Sequence, residues 1–469
     1  MAPAGEVFFE WKGGRFCQIY MPAITKKPSK LRLEFVANTD HSVSGGLPAI
    51  EALCAQFGLW EKLRAIPGLD PRVRKGRGFG PEVIVAQLLY SFCSGGASLS
   101  DAEELNTEPL AKLLAHVPHF ADQTTVGEWL RAQTPATVAG LWQVTQEFVN
   151  WVMAHAAKER WTYCQRLELF FDDTQIEVSG KKFEGAKLNY NGDMALSWQT
   201  FWAGPFLLEA ELGAPGDVSS ALPGMLQRHR SLWEKTPGDF LADSGSSAGH
   251  YLQAIAQAGL AQWSVSYNKW TTALERMAQE QPESVWGPSQ SAVWRDGSPI
   301  IEQHCFIRHQ PEGAPEPINF AVVRFKKADE FWWSYRYLTC EGHRGQGAAA
   351  VFARHKLKGE KENLLKEVLR GLDLHHPPCA ELNANRMFYA VGALAYNLLA
   401  AIKLLHLPDD CQGWQVKTLF HKIMLLPARL VQHARVVVAR IMVAPERLAW
   451  WVQTMSRLWP QPKCGRPCG

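Results

Sequence analysis

The chain has 469 residues, 46% of them hydrophobic and 20% charged, so it can form two or three folded domains and is too apolar for a disordered protein. Its 49 basic and 46 acidic residues leave a net charge of only +3, which excludes a uniformly basic chain. The ten cysteines form no CxxC pair, and only Cys464 and Cys468 lie close together, in a predicted tail over 446–469. A reducing cytosol, with no membrane contact, fits this composition best.

The front of the chain is predicted to be an arm followed by a helical domain. Residues 1–31 mix aromatic and basic groups and have no assigned role. From Leu47 to about Ala132, apolar side chains recur at spacings of three and four, which predicts an all-helical domain over residues 32–137. A basic linker and a helix-turn-helix pattern make it a candidate DNA-binding domain. Its candidate DNA contacts lie in the glycine-flanked linker PRVRKGRGFGP and just before an amphipathic helix, as in a helix-turn-helix: Arg72, Arg74, Lys75, Arg77, Thr124 and Thr125. A solvated basic loop and an ordinary capped helix remain open alternatives.

The middle of the chain has the pattern of an α/β domain. Residues 138–268 predict a helix, three consecutive strands, and then alternating helices and strands, which is the order of an RNase H-like sheet. Residues 269–345 contain four more strand patterns and are predicted to form a β-rich insertion. Residues 346–445 return to helices, which complete the α/β domain and continue as C-terminal helices.

Three acids in separate segments can meet at one site. Asp172 and Asp243 follow apolar strands, where open α/β sheets place ligands, and Glu362 lies on a predicted helix. We prefer Asp172 to Asp173, because neighbouring strand residues point to opposite faces. Three carboxylates can hold two divalent cations for phosphodiester chemistry, so DNA cutting and joining is the leading hypothesis. Taken alone, Asp172 is better explained by a strand-end turn and Glu362 by a surface ion pair, and a helix cap is an alternative for Asp243.

The segments FFDDTQIEVSG, LADSGS, HKLKGEKENLLKE and HHPPCAELNANRMFYAVGALAYNLL resemble the DDE transposases of bacterial insertion sequences. The most similar group is the insertion-sequence family numbered thirteen-eighty, a relative of the transposon-five type, over about residues 45–442. The resemblance implies a catalytic RNase H-like domain, a synaptic homodimer and two Mg²⁺ ions, replaceable by Mn²⁺, held by Asp172, Asp243 and Glu362. It further implies binding of terminal inverted repeats in double-stranded DNA, end cleavage, and joining of the 3′-hydroxyl ends to target DNA.

The resemblance also suggests residues that contact DNA. At the family's signature positions of Tyr, Arg, Glu and Lys this chain has His355, Lys358, Glu362 and Leu369, with Lys366 or Arg370 able to replace the last lysine. The segment KTLFHKIMLLPARLVQHARVVVARIM predicts one long helix with a cationic stripe along the duplex: Lys422, Arg429, His433 and Arg440. Trp332 and Trp333 are candidates for stacking on an unpaired base, with core packing as the commoner alternative.

Two other functions are compatible with this sequence. A structure-specific, Mg²⁺-dependent endonuclease of the same fold would cut DNA without joining it. A non-catalytic DNA-binding protein would use the helical domain alone and would not depend on the three acids.

Overall fold

The computed structural model describes residues 6–12, 15–21, 40–156, 166–179, 182–269, 271–294, 296–327, 330–343, 345–433 and 436–458. For residues 6–12, 15–21, 433 and 455–458 it describes the backbone alone. The strands are β1 (Glu6–Lys12), β2 (Arg15–Met21), β3 (His41–Ser42), β4 (Leu167–Glu177), β5 (Lys187–Leu188), β6 (Met194–Ala203), β7 (Phe206–Gly213), β8 (Gly238–Ala242), β9 (Gln262–Tyr267), β10 (Gln290–Val293), β11 (Pro299–His309), β12 (Ile318–Lys327), β13 (Ser334–Glu341), β14 (Ala428–His433) and β15 (Val436–Ile441).

The helices are α1 (Leu47–Phe57), α2 (Leu59–Ala65), α3 (Pro81–Cys93), α4 (Leu99–Glu104), α5 (Pro109–Leu114), α6 (Gln123–Arg131), α7 (Pro135–His155), α8 (Leu222–Lys235), α9 (Gly249–Gln257), α10 (Thr272–Gln279), α11 (Ala348–His355), α12 (Lys358–Lys366), α13 (Leu382–His406), α14 (Val416–Leu419) and α15 (Leu448–Leu458). This content confirms the predicted α/β class.

A ten-stranded mixed sheet forms the centre of the molecule. Its strand order is β10-β11-β12-β13-β9-β8-β4-β6-β5, and β7 also pairs with β6. The three middle strands β4, β8 and β9 are parallel to one another. Helix α8 precedes β8 and helix α9 connects β8 to β9, and such helical connections allow parallel pairing. The other pairings are antiparallel, so the parallel strands lie between two antiparallel flanks.

The strands of the predicted β insertion extend this central sheet. β13 pairs with β9 from Tyr337 opposite Tyr267 to Glu341 opposite Trp263, and β12, β11 and β10 follow in order. A short helix, α10, precedes them and was not predicted. Residues 269–345 therefore continue the central sheet and do not form a separate one.

The long helix α13 connects the helical front to the sheet. It contacts α3, α6 and α7 as well as β7, and the two parts share one hydrophobic core. Asn397, in the middle of α13, bonds the backbone N–H and C=O of Leu207, at 3.0 and 2.8 Å. Of the described helices, α13 is the one long and apolar enough to cross a membrane, but 89% of its apolar window is buried inside the protein. It therefore packs as a core helix.

The single long helix predicted over the last cationic segment is wrong. After α14 and a π-helical turn over Phe420–Met424, the chain forms an antiparallel hairpin, in which β14 pairs with β15 and also with β3. Pro427 cannot donate a helical hydrogen bond, and the β-branched residues Val436–Val438 favour extended backbone. The spacing of apolar residues alone predicted a helix, because spacing takes no account of proline or of β-branched side chains.

Candidate active site

Asp172 and Asp243 lie at neighbouring positions on two parallel strands. The register of β4 and β8 runs from Leu167 opposite Gly238 to Phe171 opposite Ala242, so each strand next carries one of these acids. Adjacent strands are about 4.8 Å apart, which places the two residues side by side. The prediction that Asp172 lies at the end of its strand is wrong, because β4 continues to Glu177 and stays paired with β6 along that length. Asp172 lies where the parallel pairing ends.

Helix α12 carries the third acid, Glu362, and also Lys358, which contacts both Glu362 and Asp243. Lys358 Nζ lies 3.0 Å from Glu362 Oε1, one turn further along the helix, and 3.4 Å from Asp243 Oδ2. The Lys358 side chain is 11% exposed, whereas those of Asp243 and Glu362 are 48% and 44% exposed. The lysine thus sits inside the cluster while two of the acids remain open to solvent.

The three acids interact electrostatically. Burial raises the pKa of Asp172 to about 7; the charge of Lys358 opposes this rise, while Asp243 and Glu362 add to it. Burial also raises the pKa of Asp243, but Lys358 and hydrogen bonds from Ser244 and Gly245 outweigh it, so the net pKa is lowered. One ammonium therefore faces three carboxylates, and the site carries an excess of negative charge.

The neighbouring Asp173 belongs to a different surface. Its carboxylate accepts hydrogen bonds from Ser197 Oγ and, at 2.9 Å, from Gln175 Nε2. Burial raises its pKa, whereas these two bonds lower it. Because neighbouring strand residues point to opposite faces, Asp173 lies on the face of β4 opposite to Asp172.

The chemistry of the cluster suits a divalent cation. Its donors are all carboxylate oxygens, the ligands that Mg²⁺ and Mn²⁺ prefer. Burial and, to a smaller extent, the two other acids raise the pKa of Asp172, and a bound cation would oppose both effects. Within the described ranges, however, no three His, Cys, Asp or Glu side chains are arranged to hold one ion. In this arrangement the ammonium group of Lys358 lies between two of the three carboxylates.

Two ion pairs below the site attach the helices to the sheet, and sequence reasoning missed both. Lys361 Nζ lies 2.8 Å from Glu168 Oε2 on β4, and Arg354 pairs with Asp239 on β8, which also accepts from Gln262 Nε2 at 2.8 Å. Each of these acids lies four residues before a site acid on the same strand, and strand residues four apart share a face. That repeated spacing is the sequence signal that could have revealed the two acids, although it does not indicate which cations pair with them.

His355 is bound to the sheet. Its Nδ1 lies 2.9 Å from Ser264 Oγ and its Nε2 2.8 Å from Ser266 Oγ, both on β9. Burial, followed by the charge of Lys358, lowers the pKa of His355 to about 4, so the ring is neutral at pH 7. A DNA contact by His355 would break these bonds. Among the other signature positions, Leu369 is buried, whereas Lys366 and Arg370 are exposed.

The basic linker has one internal arginine and two outward ones. Arg72 Nε and Nη2 bond the carboxylate of Asp70 at 2.9 and 3.0 Å, and Arg72 Nη1 bonds the backbone oxygens of Arg77 and Gly78. Lys75 Nζ donates to Asp70 O at 2.8 Å. The side chains of Arg74 and Arg77 are exposed. Arg72 therefore shapes the loop, while Arg74 and Arg77 extend from it.

The two predicted threonines occupy the first turn of α6 and do not precede it. Asp122 is the N-cap of that helix, and its Oδ1 accepts from Thr125 N at 2.7 Å. Aspartate is a stronger cap than threonine, which explains the shift. Thr124 is exposed and Thr125 is half-buried.

The last group of cations lies on and before the hairpin. Lys422 Nζ is 4.4 Å from the centre of the Trp414 ring, and Arg429 Nε is 2.8 Å from Asp40 Oδ2. Arg440 is exposed and lies opposite Arg429 in the β14–β15 register, so the helical stripe is replaced by a cross-strand pair. The side chain of His433 lies outside the described part of the protein, as do Cys464 and Cys468.

The two candidate stacking tryptophans differ in exposure. Trp332 is 86% exposed, next to Phe331 in the β12–β13 connection, so core packing is wrong for it. The Trp333 ring contacts Arg324 Cζ at 4.4 Å and Lys326 Nζ at 4.8 Å. Trp332 is therefore accessible, whereas Trp333 is covered by cations.

One comparison with known proteins gives a match that spans most of the chain. A family described as "Transposase DDE domain group 1" matches residues 25–458, which include the central sheet, helix α12 and the C-terminal hairpin. No curated protein matches the chain.

Proposed function

The chain belongs to the DDE transposase family, and from this premise we propose a cut-and-paste DNA transposase. It would bind the terminal inverted repeats of its transposon, cleave the ends, and join the freed 3′-hydroxyl groups to target DNA. Membership of the family implies DNA binding and nuclease chemistry, and the proposal adds the order of cutting and joining. Within the family we propose the insertion-sequence group numbered thirteen-eighty, because of the segments around the three acids.

The observation that carries this proposal is the unbalanced acid cluster. Asp172 and Asp243 lie at neighbouring positions where the pairing of the parallel strands β4 and β8 ends, and Lys358 links Glu362 to Asp243. The order β7-β6-β4-β8-β9 supports an RNase H-like domain, because three antiparallel strands are followed by two strands parallel to the first. Asp172 lies on the first of these strands and Asp243 directly after the fourth.

The proposed cofactor is a pair of Mg²⁺ ions, which Mn²⁺ can replace. Asp172, Asp243 and Glu362 would hold them, and such ions activate water and stabilise a leaving 3′ oxygen. The chain itself supplies the fixed positions of the acids. The Lys361–Glu168 and Arg354–Asp239 ion pairs hold α11 and α12 against the strands that carry Asp172 and Asp243.

DNA would approach along exposed cations on several elements. Arg74 and Arg77 extend from the loop before α3, and Lys366, Arg370 and Arg440 are exposed on α12, just beyond it, and on β15. We propose that they contact phosphates, which gives affinity without sequence preference. We further propose that the protein acts as a homodimer at paired ends in the bacterial cytosol, and that Trp332 stacks on an unpaired base.

The test uses purified protein and the DNA that flanks its own gene. With Mg²⁺, the wild type should cleave at discrete ends and insert them into a target plasmid, with products mapped at single-nucleotide resolution. Asp243→Ala should abolish both steps and retain end binding, whereas the matched control Asp193→Ala, at an exposed position outside the cluster, should retain all activities. Undiminished cleavage by Asp243→Ala would exclude the proposed site. Cleavage without insertion would indicate the endonuclease, and binding alone the non-catalytic protein.

A further inference from the structure

We propose that Lys358 is an internal counter-ion, which holds the acid site of the metal-free protein together and leaves it when divalent cations bind. The inference rests on the proposed function, since it assumes that the three acids are the cation ligands. It adds that one position between the acids is occupied by the ammonium group of Lys358 in the metal-free protein and by metal in the metal-bound protein.

The position of the lysine provides the first argument. Its Nζ lies 3.0 Å from Glu362 Oε1 and 3.4 Å from Asp243 Oδ2. These contacts place the ammonium between carboxylates from the helix and from the sheet, where a shared cation would lie. An ammonium and a divalent cation cannot both occupy that position, because like charges repel strongly in a partly buried site.

The charge balance provides the second argument. Within the described residues, Lys358 is the one cation that forms an ion pair with Asp172, Asp243 or Glu362, and it also acts on Asp172. Without it, three carboxylates would face one another with no compensation, which is costly in a partly buried site. The lysine therefore stabilises the empty site.

The neighbouring cations provide the third argument, because two of them are already paired with other acids and a third is exposed to solvent. Lys361 is bound to Glu168 and Arg354 to Asp239, both below the site. Lys366 is exposed on the same helix, two turns after Lys358. A lysine can also leave the site more readily than an arginine, because its ammonium group is at the end of a flexible four-carbon side chain and does not form two parallel hydrogen bonds to a carboxylate.

The test is Mn²⁺ binding by the metal-free full-length protein, measured by titration calorimetry together with thermal unfolding in EDTA. Lys358→Met should bind Mn²⁺ about tenfold more tightly than the wild type, because a competing charge is gone. Its metal-free melting temperature should fall by several degrees, and Mn²⁺ should raise it more than in the wild type. The matched control Lys235→Met, at an exposed position at the end of α8, should behave as the wild type in both measurements.

The outcomes separate this inference from the proposed function. If Asp172→Asn weakens Mn²⁺ binding but Lys358→Met binds no more tightly than the wild type, the acids are ligands and the counter-ion role is wrong. If neither the wild type nor Lys358→Met binds Mn²⁺, the proposed metal site fails, and this inference with it. If Lys358→Met does not fold, Mn²⁺ binding is measured on Lys358→Arg, which keeps the positive charge. Mn²⁺ binding by Lys358→Arg that is no tighter than that of the wild type supports the inference, and tighter binding overturns it.

Discussion

Two layers of acids on the same pair of strands differ in their balance of charge. In the lower layer each acid has its own cation, with Glu168 paired to Lys361 and Asp239 to Arg354. In the upper layer, four residues further along each strand, three acids share a single cation: Asp172, Asp243, Glu362 and Lys358. Both layers take an acid from β4 and an acid from β8 or the residue after it, and the upper layer adds Glu362 from α12. The number of cations per acid is what separates a structural contact from a site that can accept a ligand.

Burial makes this difference energetically meaningful. The Asp239 side chain is 1% exposed, and a buried carboxylate must be paired to remain ionised. The lower layer meets that condition within the protein. The upper layer does not, because its three acids share one cation, and burial raises the pKa of Asp172 to about 7. We therefore expect substitutions in the lower layer to affect folding and those in the upper layer to affect chemistry.

The largest expected effect is on DNA cleavage. Asp172→Asn keeps the size of the side chain and removes one of the proposed cation ligands, so cleavage of transposon-end DNA should fall roughly a thousandfold. Glu168→Gln, the matched change in the lower layer, keeps a hydrogen-bond acceptor for Lys361, and cleavage should stay within about tenfold of the wild type. The measurement is the initial rate of nicking in Mg²⁺. An equal loss in both variants would contradict the distinction between the layers.

The second effect is on stability and belongs to the lower layer. Asp239→Ala leaves Arg354 and Gln262 without their shared acceptor, so the free energy of unfolding should fall by about 3 kcal/mol. Urea denaturation followed by circular dichroism measures it. Adding Arg354→Met should recover part of the loss, because the unpaired charge is removed. If Asp239→Ala and the surface change Asp193→Ala were equally stable, the pair would have no structural role.

The third effect is the pH dependence of the metal-free protein. The pKa of Asp172 is about 7 in the folded state, by burial, and near 4 in the unfolded chain. The folded state therefore binds more protons between pH 4 and pH 7, and the free energy of unfolding falls as pH rises through that window. Asp172→Asn should remove this slope and be more stable than the wild type at pH 8, by about 2 kcal/mol. Urea titrations in EDTA test it, and parallel profiles for the two proteins would refute it.

The sequence predicted the upper layer better than the lower one, for physical reasons. The first half of β4 and the whole of β8 are mostly apolar local runs, each followed directly by an acid, so the positions of Asp172 and Asp243 could be predicted from nearby residues. Pairing of Lys361 with Glu168 depends on how α12 packs on the sheet, which no local pattern encodes. The hairpin around Val436 was missed for a related reason, since its strand β14 is completed by β3, far away in sequence.

The smallest expected effect applies the same comparison to the basic loop. Arg72 is balanced by Asp70 and holds the pKa of that carboxyl well below its usual range, whereas in the described part of the chain neither Arg74 nor Arg77 forms an ion pair. Arg74→Gln and Arg77→Gln should each weaken end binding a few-fold and reduce the slope of log affinity against log salt by about 1, as expected for one lost phosphate contact. Arg72→Gln should leave that slope unchanged, because its charge is already used inside the loop. Fluorescence anisotropy at several salt concentrations measures all three, and a reduced slope for Arg72→Gln would show that an internally balanced arginine still contacts phosphate.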